Sequence, residues 1–322
     1  MTGYVGITDF KWYSFLASKP GLREINFWQP KPTNLLKQRT GIPFFFKLKA
    51  AHGSWIAGFA YFAWRTTMPA WMAWDSFGEA NGASSKREML AEIGALRRDE
   101  AVDRTGRYEI GCLILAEPVF LPQSAWVKGP SDWSSGIQRG KFYELNEGEG
   151  SRIYTECLAR TGDRGGLVLD AVVSGGPAPQ PIARERFGTP TTIRPRLGQG
   201  GFRAAITDVY ARACAISGEH SLPALEAAHI RPYGEGGTHE IRNGLLLRAD
   251  LHRLFDGGFV TVTPEHEFRV SRRLREEYEN GRVYYELEEQ IRAQGGIRLP
   301  ARPEDRPDPK LLEWHSTSVF ER

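Results

Sequence analysis

The sequence predicts an α+β protein made of two domains, and three observations support this fold class. Short runs of β-branched and aromatic residues recur up to about residue 164, which is typical of strands. Eight of the nine tryptophans lie before residue 134, so this first part has an aromatic core of its own. A stretch rich in glycine and proline then precedes a second part with its own strand and helix patterns. The length of 322 residues is sufficient for two domains.

The first predicted domain, residues 1–165, is rich in strands. Segment 84–98 is an exception, because it has helical periodicity, with Ser84 or Ser85 as its N-cap and a glutamate following. We expect the strands to form a curved sheet or a small barrel. The strands are predicted at residues 3–7, 25–28, 43–49, 54–64 and 108–115.

Residues 166–190 are predicted to link the domains, because glycine, proline and small residues dominate there and no apolar period persists. The second predicted domain covers residues 191–322. Its segment 272–291 is charged and has helical character. The stretch after Pro300 is rich in proline and polar residues, which suggests a loosely held tail.

Composition narrows the class of protein. The formal net charge of +3 is too small to indicate a nucleic-acid-binding protein by itself. Cys112, Cys157 and Cys214 lie far apart and lack metal-ligand spacing, which indicates a reduced, cytoplasmic protein without disulfides. The N-terminus lacks a signal-peptide pattern, and the longest apolar run, residues 55–64, is too short to span a bilayer. We therefore expect no membrane partner.

Residues 214–262 form the most informative segment of the chain. Their pattern predicts a strand at 225–230, a glycine-rich loop, a second strand within 242–248 and a short helix at 251–255. Asp250 is expected to cap the start of this helix, and the pair of glycines that follows is expected to end it.

The side chains of this segment have the chemistry of a phosphodiester hydrolase. Hydrolysis needs a base that activates water and a cation that stabilises charge on the phosphate and the leaving oxygen. His229 is predicted to be the base, and Asn243 can hold either that imidazole or the loop behind it. His252 and Asp256 are four residues apart and share one face of the helix, so we expect them to bind one divalent metal ion. Mg, Mn, Ni, Co and Zn all suit such nitrogen and oxygen ligands.

From about Arg194 to Pro300, the chain resembles the HNH nucleases, whose fold is called ββα-metal. The resemblance rests on the segments LEAAHIRPY, NGLLLRADLH, LFDGG and, upstream, CAISG. It implies a DNA endonuclease in which His229 is the catalytic base, Asn243 the middle asparagine of the motif and His252 a metal ligand.

The sequence departs from this family at two places. Many relatives carry a metal-binding Asp or His immediately before the base, where this chain has Ala228. Either Asp256 takes over that role, as in some relatives, or Glu226 reaches the ion from the strand, and we favour Asp256. Many relatives also hold a structural zinc with two CxxC pairs, whereas this segment has only Cys214, so we expect no structural zinc.

Several residues of the second domain have two interpretations. His239, in the glycine-rich loop, either contacts DNA or is solvated. Cys214 is expected to be a packed thiol. The segment RPRLGQGGFR is either a phosphate-binding surface or a solvated strand with a glycine-rich turn. Its predicted DNA contacts are Arg194, Arg196, Gln199 and Arg203.

The first domain resembles an EVE-type domain of the PUA-like superfamily in the segments GYVGITDFKWYSFL, REINFWQP, IGCLILAEPVFLP and GKFYEL. Proteins that combine such a reader with an HNH domain resemble modification-dependent restriction endonucleases. The resemblance implies that the domain flips a modified cytosine, 5-methylcytosine or 5-hydroxymethylcytosine, out of double-stranded DNA into an aromatic pocket. The candidate pocket residues, each of which could instead belong to the core, are Asn26, Trp28, Trp12, Trp71 and Trp74.

The sequence thus predicts a type IV-like restriction endonuclease, and other functions stay open. The HNH domain could serve a nuclease that recognises phosphorothioate or another modification, or a mobile-element nuclease. It could also be vestigial in a non-catalytic reader of nucleic acid, although the intact His229, Asn243 and His252 argue against this. One HNH centre cuts one strand, so a double-strand break needs a homodimer or two independent events.

Overall fold

The computed structural model of this protein describes residues 1–36, 39–97, 103–161 and 195–321. These residues form two compact units, Met1–Gly201 and Phe202–Arg322. The predicted linker, residues 166–190, lies outside the described residues. The domain boundaries at residues 165 and 191 therefore remain predictions.

A mixed six-stranded sheet forms the centre of the first unit. Its strands are β1 (Thr2–Thr8), β2 (Glu24–Gln29), β3 (Pro43–Leu48), β4 (Ile56–Pro69), β5 (Glu109–Phe120) and β6 (Gly140–Glu144). In space they lie in the order β2, β5, β4, β3, β1, β6, and only β1 and β3 run parallel. Because β2 and β6 are edges, the described strands form an open sheet and not a small barrel.

The strands can carry consecutive aromatic side chains because both faces of this sheet are buried. Within β3, Phe44 and Phe46 belong to one buried cluster, and Phe45 belongs to another. Side chains alternate between the two faces of a strand, so a continuous apolar run is the pattern expected of a strand buried on both sides. The register of β4 against β5 shifts between Phe59 and Tyr61, and such irregularities bend and twist a strand.

Helices accompany this sheet. They are α1 (Phe10–Ala17), α2 (Ala70–Phe77), α3 (Lys86–Arg97) and α4 (Gly148–Arg160). The helix predicted at 84–98 is confirmed as α3. Ser85 accepts a hydrogen bond from the Glu88 amide at 3.3 Å, and the Glu88 carboxylate accepts one from the Ser84 amide at 2.9 Å. These bonds satisfy amides that have no partner within the helix.

The second unit contains the strand, loop, strand and helix that the sequence predicts. The boundary between the units falls within α5 (Gln199–Val209). Strand β7 (Leu225–His229) pairs antiparallel with β8 (Gly244–Arg248), and α6 (Ala249–Asp256) follows directly. The further elements of this unit are β9 (Val260–Val262), β10 (Phe268–Val270), α7 (Arg273–Tyr278), α8 (Arg282–Ala293) and α9 (Pro309–Ser318).

Asp250 does not cap α6, contrary to the expectation from the sequence. Arg248 occupies the N-cap position, and Asp250 lies inside the first turn of the helix. Its carboxylate accepts hydrogen bonds from the Arg248 guanidinium at 2.6 and 2.7 Å and from the Tyr284 hydroxyl at 3.2 Å. A carboxylate in the first turn also interacts favourably with the helix dipole, so this position suits Asp250 without a capping role.

The expectation of a loose tail after Pro300 is also wrong. Helix α9 begins at Pro309, with Asp308 as its N-cap accepting a hydrogen bond from the Lys310 amide at 3.0 Å. Leu312, on this helix, is completely buried. An Asp-Pro pair is a known start signal for a helix, so the sequence did contain the information that predicts α9.

His315 of α9 is held as a neutral imidazole in the interior of the second unit. Its Nε2–H group donates to the Phe255 carbonyl at 3.1 Å, and its Nδ1 accepts from the Thr261 hydroxyl at 2.9 Å. The ring also stacks on Phe255 at a centroid distance of 3.6 Å. Burial lowers the pKa of His315 to about 4, although the bond to the Phe255 carbonyl opposes this shift.

Acid is therefore expected to destabilise the second unit through His315. The unfolded chain binds a proton there below about pH 6.5, whereas the folded unit does so only below about pH 4. The stabilisation is complete above the higher value and is lost as the pH falls between the two, by about 3 kcal/mol for this group. His315→Gln should flatten this part of the profile. Urea unfolding of the full chain, followed by hydrogen exchange in α9 peptides, measures the slope, and an unchanged slope would contradict the prediction.

All cysteines of the described residues are buried and free. Cys214 is a packed thiol whose Sγ accepts hydrogen bonds from the Arg248 amide at 3.3 Å and the Ser217 amide at 3.4 Å. Within the described ranges, no helix has both the length and the apolar character needed to cross a membrane.

Candidate active site

His229 lies at the end of β7, where the strand leads into the glycine-rich loop. Its ring stacks on Phe202 of α5, at a centroid distance of 4.0 Å and an interplanar angle of 10°. Its Nε2 atom lies 2.9 Å from Nδ1 of His239. Burial, together with the nearby His239 and His252, lowers the pKa of His229 to about 4. The ring is therefore neutral at physiological pH and able to accept a proton.

Asn243 holds the loop that connects β7 and β8. The side chain is buried, and its Oδ1 accepts a hydrogen bond from the Arg231 amide at 2.9 Å. Its Nδ2 donates to the carbonyls of Arg231 at 2.9 Å and Thr238 at 2.8 Å. Asparagine suits this position because its side chain offers both an acceptor and two donors. Of the two roles expected for Asn243, the structure shows the bonds of the second, to the loop behind the imidazole.

His252 lies on α6 between two carboxylates. Its Nδ1 is 2.7 Å from Oε2 of Glu226, and its Nε2 is 3.4 Å from Oδ2 of Asp256. With a carboxylate oxygen of Glu226 as the acceptor, Nδ1 carries the hydrogen, and the neutral imidazole then has its lone pair on Nε2. The two carboxylates therefore lie beside different nitrogens of the same imidazole and do not occupy equivalent positions.

The side chains around His252 Nε2 fit a divalent ion. Among the residues that the structure describes, no three His, Cys, Asp or Glu side chains are grouped as a complete metal site. Nε2 of His252 and the carboxylate of Asp256 nevertheless form a nitrogen and oxygen donor pair that suits an ion completed by water and phosphate. Burial raises the pKa of Asp256; His252 opposes this, and the negative charge of Glu226 adds to it. A cation placed here would offset the unfavourable negative charge.

His239 is the residue of this site whose position the sequence left open. The loop brings its ring against His229 and stacks it on Tyr233, at a centroid distance of 5.4 Å and an interplanar angle of 12°. Burial lowers the pKa of His239. The loop turns back through Gly237, where a Cβ atom would lie 1.8 Å from the Arg231 carbonyl oxygen. The glycines were the one sequence signal for a sharp turn, and no spacing rule connects them to a particular histidine.

The predicted DNA contacts upstream of the site are placed in part. Arg194 lies outside the described residues. Arg196 and Gln199 are exposed, and Arg203 is half-buried. In the first unit, the backbone amides of three glycines of this segment donate hydrogen bonds to the Glu24 carboxylate at 2.7–3.0 Å, so they are not available to bind phosphate. They belong to Gly198, Gly200 and Gly201. Contact of the arginines and Gln199 with DNA remains a prediction.

The predicted base-pocket residues gather near the segment that follows α2. Asn26 is fully buried and donates to Asn81 Oδ1 at 2.9 Å, and the Trp28 indole donates to the Asn81 carbonyl at 3.0 Å. Trp12 is a core residue, packed edge-on against Phe27. Trp71 and Trp74 of α2 are half-buried, as is Trp28. These three indoles are the ones with surface left for a ligand, and the pocket itself remains a prediction.

Comparison with known proteins bears on the second unit. Residues 214–263 match the family model described as HNH endonuclease. No curated protein matches the chain. A solved structure of "Modification dependent TagI restriction endonuclease" is similar with a TM-score of 0.27 and 12% identity, over 98% of this chain and 81% of that chain. The TM-score is too low for that likeness to carry an argument. The family match covers β7, β8 and α6, so the chain carries an HNH endonuclease domain at residues 214–263.

Proposed function

We propose that this protein is a metal-dependent DNA endonuclease that cuts DNA containing modified cytosine, as a type IV-like restriction enzyme does. The observation that carries the nuclease activity is the neutral, half-buried His229 in the same domain as the His252–Asp256 donor pair. A base and a cation site are the two requirements of phosphodiester hydrolysis. By the resemblance of the sequence to HNH nucleases, the positions of the motif fall on His229, Asn243 and His252.

In the proposed mechanism, His229 accepts a proton from water as the water oxygen attacks phosphorus. The new phosphorus–oxygen bond forms as the bond to the leaving oxygen breaks, and that oxygen takes a proton from solvent. Asn243 keeps the loop in place so that His229 stays oriented. Glu226 orients the His252 ring through Nδ1, as partners behind metal-bound histidines commonly do. When bound, the divalent ion supplies positive charge that stabilises the developing negative charge.

The first unit is proposed to read the modified base by flipping it out of the duplex. Stacking on an aromatic side chain contributes about 1–3 kcal/mol per base, and a buried methyl group adds roughly 0.8 kcal/mol. Together these can offset the few kcal/mol that flipping costs. Two features support this proposal. One is the resemblance of the first predicted domain to EVE-type readers, and the other is the set of half-buried indoles of Trp28, Trp71 and Trp74.

Cleavage is expected to depend on the cytosine modification. With Mn²⁺, the full chain should cut a duplex containing 5-methylcytosine or 5-hydroxymethylcytosine faster than the same unmodified duplex. Trp28→Ala should slow cutting of the modified duplex by about tenfold, the share of one stacking contact, and leave slow cutting of unmodified DNA in place. Trp55→Ala is the matched control, because Trp55 is a tryptophan of the same unit that is 40% exposed.

The same cleavage assay, extended to a phosphorothioate duplex and to other divalent ions, distinguishes the proposed function from its alternatives. Equal cutting of unmodified and cytosine-modified duplexes would contradict the reading of modified cytosine. Faster cutting of a phosphorothioate duplex alone would replace it with backbone recognition. Binding without cutting under every divalent ion would identify a reader whose nuclease domain is inactive.

A further inference from the structure

We propose that His239 is a positioning residue for the base, which accepts a hydrogen bond from His229 Nε2–H and thereby keeps His229 Nδ1 free of hydrogen. This inference rests on the proposed role of His229. It starts from the contact of 2.9 Å between His229 Nε2 and His239 Nδ1. A contact of this length between two ring nitrogens requires one hydrogen between them.

The direction of this hydrogen bond decides whether His229 can act as a base. Burial lowers the pKa of both rings, so each carries a single N–H group near neutral pH. If His239 donated, His229 would use Nε2 as the acceptor and hold its own hydrogen on Nδ1, and neither nitrogen could take a proton from water. If His229 donates, its Nδ1 keeps a free lone pair. Only this second arrangement is compatible with catalysis.

The loop fixes the position and the plane of the His239 ring. Stacking on Tyr233 sets the plane of its ring. The carbonyl of Thr238, the preceding residue, is held by Asn243 Nδ2 at 2.8 Å. The plane of the His229 ring is fixed by stacking on Phe202. By holding the loop, Asn243 therefore helps to position His239, and His239 in turn positions the base His229.

His239 is expected to contribute more during the reaction than before it. When His229 takes a proton on Nδ1, it becomes an imidazolium, and the Nε2–H bond to His239 becomes charge-assisted. Such bonds are roughly twice as strong as neutral ones. An interaction that strengthens as the transition state forms raises kcat and leaves substrate binding unchanged. A neutral ring thus performs the task that a carboxylate or a carbonyl performs behind many catalytic histidines.

Two substitutions of His239 test its role as a hydrogen-bond acceptor separately from the shape of its ring. In His239→Asn, the side-chain oxygen lies as many bonds from Cβ as Nδ1 does and can accept the bond. In His239→Phe, the ring can still stack on Tyr233, but no acceptor remains. With Mn²⁺ and a duplex substrate, we expect kcat to fall by about 10²-fold or more in His239→Phe, within the range of a lost general base. The KM for DNA should not change, and His239→Asn should retain most of the activity.

A spectroscopic measurement tests the same proposal without activity or metal. In the full chain labelled with ¹⁵N-histidine, the ring signals of His229 should report the Nε2–H form in the wild type and in His239→Asn. His239→Phe should shift His229 toward a mixture of both forms. An Nδ1–H form of His229 in the wild type would overturn the proposal, as would an unchanged form in His239→Phe.

The outcomes also distinguish this inference from the proposed function. If His229→Ala is inactive while His239→Phe cuts at the wild-type rate, the role of His239 is wrong and the base assignment stands. If His229→Ala cuts at the wild-type rate, the proposed function of His229 is wrong, whatever form its ring has.

Discussion

Replacing His229 with alanine is expected to slow DNA cleavage by about 10²–10⁴-fold, the contribution typical of a general base. DNA affinity should change little, because the proposed partner of the imidazole is a water molecule and not the DNA. Single-turnover cleavage with Mn²⁺ measures the first quantity, and a mobility-shift titration without metal measures the second. A cleavage rate equal to that of the wild type would remove the base assignment.

His220→Ala is the matched control for this variant. His220 is an exposed histidine of the same unit, and it lies outside the candidate site. The variant should cut at the wild-type rate with the wild-type requirement for metal. The comparison shows whether a lost rate belongs to His229 or to the removal of any histidine from the domain.

The pH profile gives an independent check of the same assignment. Because burial lowers the pKa of His229 to about 4, the neutral form persists well below pH 6.5. Protonation removes the base, so the contribution of His229 is lost only as the pH falls through about 4. The ring C–H signals of His229 in an NMR titration report this midpoint directly, and a midpoint near 6.5 would contradict the buried, neutral ring.

The frame that holds the candidate catalytic residues could be predicted from the sequence because it is local. His229, Asn243 and His252 lie in one strand, loop, strand and helix, and short elements fix their spacing. The role of His239 could not be predicted in this way. It depends on the path of the loop through Gly236, which has a φ of 86°, and through Gly237. Backbone conformations of this kind bring together residues that no periodicity relates.

The first unit shows a similar division. Runs such as Pro43–Leu48 predict strands, because aromatic residues suit a sheet buried on both faces. Helix α1 was missed because its sequence, FKWYSFLA, is as aromatic as the strands around it. Sequence also treats Trp12 and Trp28 alike. Packing separates them, since Trp12 is 5% exposed in the core and Trp28 keeps part of its surface.

The choice between Asp256 and Glu226 as the second metal ligand depends on the orientation of one ring. Both carboxylates lie beside His252, as the sequence suggested, but at opposite nitrogens. Glu226 faces the nitrogen that carries hydrogen, and Asp256 faces the nitrogen with the lone pair. Only the second position is near a nitrogen whose lone pair could bind a metal ion, so we expect Asp256 to be the ligand and Glu226 to orient the ring.

This difference predicts unequal effects of two matched substitutions. Asp256→Asn removes a charged ligand, so the Mn²⁺ concentration for half-maximal cleavage should rise by about 10–100-fold or more. Residues that only hydrogen-bond to a metal ligand already cause a loss of that size when they are replaced. Glu226→Gln keeps an oxygen that can accept the bond from His252 Nδ1, so its effect should be much smaller. His252→Ala, which removes the central ligand, should have the largest effect of the three.

Metal titrations of cleavage, together with Mn²⁺ binding measured by electron paramagnetic resonance, distinguish the two carboxylates. Glu265→Gln serves as the control, because Glu265 is an exposed carboxylate of the same unit outside the site. A larger shift in Glu226→Gln than in Asp256→Asn would show that the glutamate reaches the ion and that the ring turns to allow it. Wild-type metal dependence in His252→Ala would place the ion elsewhere and remove both carboxylates from the site. The expected order, His252→Ala above Asp256→Asn above Glu226→Gln, follows from which ring nitrogen carries the hydrogen.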